Sequence, residues 1–91
     1  MDFLHTDFWG GPESTAVITL NAQCNVLLLD DTNFSAYQRG EGFRYYGGWA
    51  TSSPVYLQPP HHAHWHVVVD LGGGAGSVKA GIRIVKHTAI V

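Results

Sequence analysis

Charge is scarce in this chain. Asp, Glu, Lys and Arg make up 13% of its 91 residues, against about 25% in an average soluble domain, and the net charge of −2 builds no field to draw phosphate backbones. That composition excludes nucleic acid as a general partner. Cysteine is nearly absent: Cys24 stands alone, which rules out a disulfide within the chain and points to a reducing compartment. No apolar run reaches the ~20 residues that span a bilayer, and the opening MDFLHTDFWGG lacks the basic and apolar regions of a secretory leader. The sequence therefore reads as cytoplasmic and not membrane-bound, although an ending such as HTAIV is also compatible with a module of a longer polypeptide.

Signatures of catalysis are missing as well. There is no GxSxG elbow, no CxxC and no HExxH, so the expectation is a protein that is not an enzyme. LGGGAGS (71 to 77) fails as a phosphate loop because the glycine pattern is incomplete and it leads into a strand, leaving no helix N-terminus for a pyrophosphate; it reads as a hairpin loop. DDTNFS (30 to 35) crowds acidic and amide oxygens as calcium loops do, but the sixth place from Asp30 holds Ser35 instead of glycine, and helix capping explains it better.

What the chain does have is apolar and aromatic residues, 45% of the total, in short runs broken by glycine, proline and asparagine. FLHTDF (3 to 8), STAVITL (14 to 20), NVLLLD (25 to 30), FRYYGG (43 to 48), VYLQ (55 to 58), HWHVVVDL (64 to 71) and SVKAGIRIV (77 to 85) read as strands. About seven short strands with turns every ten or so residues is the pattern of a small antiparallel β-sandwich, all-β and a single domain over 1–91. TNFSAYQRG departs from it, with Asp31 or Thr32 as a cap and Gly40 as a stop, and predicts a short helical turn near 32–39. Pro54, Pro59 and Pro60 restrict pairing around VYLQ, which reads as an edge or a short strand.

Four of the six histidines fall in HHAHWHVVVD (61 to 70). Alternation along a strand puts Ala63, Trp65, Val67 and Val69 toward a core and His62, His64, His66, Val68 and Asp70 on the other face. Histidines two apart on a strand lie close enough to share a zinc, nickel or copper ion, so His62, His64 and His66 are the candidate metal ligands. A further ligand would have to arrive from elsewhere, His5, His87 or Cys24 among the choices, because Asp70 lies too far along the same strand. The plainer reading is a half-exposed strand entry whose wet face tolerates histidine; clustered imidazoles also titrate near neutrality, as a pH sensor would. In FRYYGGWATSSP, aromatic rings lie near guanidinium groups, as in sites that stack sugars or bases. Phe43 and Tyr45 suit the core, whereas Tyr46 and Trp49 suit an exposed platform.

The stretches NVLLLDDTNFSAYQ, RYYGGWATSSPV and HWHVVVDLGG resemble the domain of unknown function 1883 family, in unbroken order from about Phe3 to Val85. The resemblance implies an all-β sandwich with one regular sheet and one bent by bulges, from a small bacterial family with no assigned catalytic residues. Some relatives are fused to TIR domains, which implies a link to bacterial signalling or defence. Asn33, Tyr46, His64, Trp65 and Asp70 match the family pattern, while His62 and His66 depart from it, so a histidine metal site is not expected to be shared across the family.

The resulting expectation is a recognition or accessory module for a partner protein or small ligand, with Arg44, Tyr46, Trp49 and His64 as ligand-binding candidates. It calls for no cofactor. A metal-binding protein using His62, His64 and His66 is one alternative, and a carbohydrate-binding sandwich with Tyr46 and Trp49 exposed and coplanar is another. Exposed strand edges also suggest a homo-oligomer.

Overall fold

A computed structural model of the chain describes residues 3–72 and 79–87. Among these residues it contains seven strands and one helix: β1 (Leu4–Gly10), β2 (Ser14–Leu20), β3 (Cys24–Asp30), α1 (Asp31–Arg39), β4 (Tyr46–Ala50), β5 (Val55–Leu57), β6 (Ala63–Asp70) and β7 (Ala80–Lys86). They form a four-stranded sheet in the order β1-β6-β3-β4 and a three-stranded sheet in the order β5-β2-β7, antiparallel throughout. This is the small all-β sandwich that the turn-bounded runs imply. No helix among the described residues is long and apolar enough to cross a membrane.

The two sheets meet through their alternate residues. Ala16 and Ile18 of β2 pack against Val26 and Leu28 of β3 and Trp65, Val67 and Val69 of β6, all essentially sealed from water. Ile82 and Ile84 of β7 and Val55 and Leu57 of β5 close the same core from the other sheet. Burial of these β-branched and aromatic side chains supplies the main driving force, at about 25 cal/mol per Å² of apolar surface.

The second face of β6 is not wet, in contrast to the strand-entry expectation. Helix α1 lies across the outer face of the four-stranded sheet, where Phe34 and Tyr37 cover Leu27, Leu29 and Val68 in a second apolar cluster. Asp30, the last residue of β3, caps α1: its backbone is extended and its side chain accepts from the Asn33 amide at 2.9 Å. The cap is thus one residue before Asp31 and two before Thr32. Gly40 ends the helix as expected, at φ 72, donating its N–H to the carbonyls of Ala36 and Tyr37.

Strand boundaries shift by a few residues elsewhere, and most at β4. β4 begins at Tyr46 instead of Phe43 and includes Trp49, because residues 41–45 run as a loop tied to the helix through Asn33 Oδ1, which accepts from the Arg44 amide at 2.7 Å. The ladders themselves run in unbroken register, and the irregularity of the larger sheet lies at Gly47 and Gly48, with φ of 104 and 140. At Gly47 a side chain would collide with the Val26 carbonyl oxygen, so only glycine fits this approach. β5 is an edge strand, as its flanking prolines require. The glycine-rich stretch read as a hairpin loop falls largely on 73–78, outside the described residues; the strands on either side of it, β6 and β7, belong to different sheets.

Candidate functional site

β6 occupies a central position in its sheet, so its outer-face side chains meet neighbours from both sides. On one side β1 runs antiparallel with Asp7 opposite His66, Trp9 opposite His64 and His5 opposite Val68. The alternation that points His64 and His66 outward therefore points His5, Asp7 and Trp9 outward beside them. On the other side β3 places Leu29 opposite His66 and Asp30 opposite Trp65. Because α1 starts immediately after Asp30, its first residue, Asp31, turns its carboxylate over the two histidines.

These residues form one hydrogen-bonded chain. Asp31 Oδ1 lies 2.7 Å from His64 Nδ1 and 2.6 Å from His66 Nε2, so it accepts from both rings. His64 Nε2 donates to Asp7 Oδ2 at 2.6 Å. His66 Nδ1 meets His5 Nε2 at 2.8 Å. The rings are held on their faces as well as at their edges: Phe34 stacks on His66 with centroids 4.3 Å apart and on His5 at 4.4 Å, while Trp9 stacks on His64 at 4.8 Å. The His66 side chain is only 9% exposed, whereas Asp31 remains 64% exposed.

Charge follows from these contacts. The hydrogen bond to Asp7, reinforced by Asp31, raises the pKa of His64 above its ordinary value. Asp7 is held below the usual carboxylate range chiefly by its bond to His64, and Asp31 chiefly by its bond to His66. His5 moves the other way, lowered first by burial and then by its neighbour His66.

A cleft of about 590 Å³ opens beside Asp30. Trp65 and Leu28 line it together with Arg44, Tyr45, Tyr46 and His61, and Asp30 and Asn33 complete its wall. Tyr46 meets the Trp65 ring edge-on at 6.1 Å, and the indole donates to the His61 carbonyl at 3.1 Å. Arg39 is engaged by Glu41 at 2.9 Å, but the Arg44 guanidinium has no ion-pair partner among the described residues.

The residues singled out in the sequence are thus divided among separate places. Arg44 and Tyr46 line the cleft, and His64 and His66 join the outer-face cluster. His62 does not join them: it precedes β6, its side chain is 73% exposed, and its Nε2 lies 3.0 Å from Glu13 Oε2. Trp49 and Tyr46 are both about half-exposed, yet they pair with Asn25 and Leu28 and so fall on opposite faces of the sheet, forming no common platform. Asp70 is buried and used structurally, accepting from Asn25, the Gly72 amide and the Tyr37 hydroxyl. Sequence reasoning missed Asp31 and Asp7. The signal for Asp7 was present, since His5, Asp7 and Trp9 repeat the period-two spacing of the β6 histidines.

Residues 1–88 match the model of the family described as domain of unknown function (DUF1883), and the chain belongs to that family. No curated protein and no solved structure matches it.

Proposed function

We propose that this member of the DUF1883 family is a non-enzymatic recognition module that binds a small ligand, one carrying a flat ring and an anionic group, in the cleft beside Trp65. The observation that carries the reading is Arg44, a guanidinium with no ion-pair partner among the described residues, beside the rings of Tyr45, Tyr46 and His61. A planar guanidinium binds carboxylates and phosphates in bidentate fashion, and aromatic faces hold rings by stacking. The absence of any catalytic signature in the sequence supports binding without turnover. The resemblance to relatives fused with TIR domains supports an accessory role in signalling, with ligand occupancy as the signal.

Titration of isotope-labelled protein with adenosine monophosphate, phenyl phosphate and benzoate, followed by amide chemical shifts, tests this. Saturable shifts centred on Arg44, Tyr46 and His61, abolished in Arg44→Ala, are expected. Shifts that are absent for all three probes, or indifferent to Arg44→Ala, would overturn it.

A further inference from the structure

We propose that Asp31, His64 and His66 form a site for one divalent transition ion of the zinc class, with Asp7 and His5 as the groups that orient its histidines. The site lies on the outer face of the sheet and is independent of the cleft, so either can fail without the other.

Three observations carry it. The first is convergence: one ligand atom from each of the three residues lies within 4.8 Å of the others, and Asp31 Oδ1 already sits 2.6 to 2.7 Å from a nitrogen of each ring. Around a tetrahedral ion with bonds of about 2.0 to 2.2 Å, donor atoms stand roughly 3.3 Å apart. A small outward movement of the exposed Asp31 side chain, with the two ring nitrogens settling at the same spacing, makes that room.

The second is the surrounding shell. A histidine that binds a metal through one nitrogen almost always directs the other to a carboxylate, carbonyl or similar partner, which fixes its tautomer. Both histidines here meet that requirement. His64 offers Nδ1 to the site and is held through Nε2 by Asp7; His66 offers Nε2 and is held through Nδ1 by His5. With the ion bound, His64 donates Nε2–H to Asp7 and His66 donates Nδ1–H to His5 Nε2, and every ring nitrogen of the two ligands has a partner. Stacking by Phe34 and Trp9 restrains the two rings further.

The third is chemistry. Two imidazole nitrogens and a carboxylate oxygen form a borderline donor set, suited to zinc and its neighbours and unlike the all-oxygen shells of calcium and magnesium. The charges of Asp7 and Asp31 balance a divalent ion bound to neutral imidazoles. Exposed Asp31 leaves a further coordination position on the solvent side.

The test uses the full chain, purified without an affinity tag and stripped of metal, titrated with zinc chloride by calorimetry and with cobalt(II) by visible absorption. One equivalent binds, and cobalt develops the visible bands of a low-symmetry nitrogen–oxygen site. His64→Gln and Asp31→Asn, both at the more exposed side of the cluster, each weaken zinc by at least about tenfold, and Asp7→Asn weakens it by about 10- to 100-fold as a loss of orientation. His62→Gln leaves affinity unchanged. Circular dichroism verifies that each variant is folded. Wild-type protein that takes up no zinc, or His62→Gln as damaging as Asp31→Asn, overturns the proposal.

Discussion

Asp31 and His66 stand 35 positions apart in the chain, yet Asp31 Oδ1 accepts from His66 Nε2 at 2.6 Å. Two local features produce this contact: the β3–β6 register, which sets Leu29 opposite His66, and a helix that begins as soon as β3 ends. The position of the carboxylate therefore depends on where α1 starts.

Asp30→Ala removes the side chain that caps α1 through the Asn33 amide. The expected loss is about 0.5–2 kcal/mol in urea denaturation. The His66 ring resonances should also shift, because Asp31 loses its fixed place above them. A stability and a His66 spectrum both equal to wild type would show that the cap does not hold the helix start.

Proton titration of the metal-free protein should separate the histidines. His64 is raised above its ordinary 6.5 by Asp7 first and Asp31 next, while burial and His66 lower His5. Since the folded form holds the His64 proton more tightly than the unfolded form, the resulting stabilisation is complete below about pH 6.5 and fades as pH rises through the folded value. Asp7 and Asp31 have the opposite sign: held below the carboxylate range, they stabilise above about pH 4, and that contribution is lost as pH falls through their folded values. The denaturation midpoint should peak between these limits, and Asp7→Asn should move its alkaline decline to lower pH. Ring-proton NMR showing His5 titrating above His64 would contradict the assignment.

Trp65 is 2% exposed and packs in the main core with Val67 and Val69. Trp65→Ala should lower stability by roughly 3–5 kcal/mol, the usual penalty for emptying so large a buried volume. A melting temperature equal to wild type would mean that the inward and outward faces of β6 are reversed.

Tyr37 ties α1 to the sheet by donating to buried Asp70 at 2.5 Å, and burial together with that carboxylate raises the phenol well above its ordinary range. Tyr37→Phe leaves Asp70 Oδ2 without this donor and should cost about 1–3 kcal/mol by urea denaturation. A change well under that range would show that the bond contributes little beyond the packing of the ring.

Much of this was legible from local pattern. Alternation in HWHVVVD identified the core face of β6, and the polar cluster at 30–33 with Gly40 located α1 to within a residue. Contacts between elements were not legible. Nothing near His64 or His66 in sequence announces Asp31, whose role depends on strand register and on which face the helix covers. The same blindness grouped His62 with its neighbours, although the strand begins only at Ala63 and the preceding residue turns to Glu13. It also joined Tyr46 to Trp49, which the period of two separates when β4 extends through both.

The claim that Asp31 completes the histidine face is tested most directly by anomalous X-ray diffraction at the zinc edge from crystals of the zinc-loaded protein. One strong peak is expected about 2.0–2.2 Å from His64 Nδ1, His66 Nε2 and an Asp31 carboxylate oxygen. A peak at His62 and Glu13 instead, or none near the outer face of β6, would contradict it.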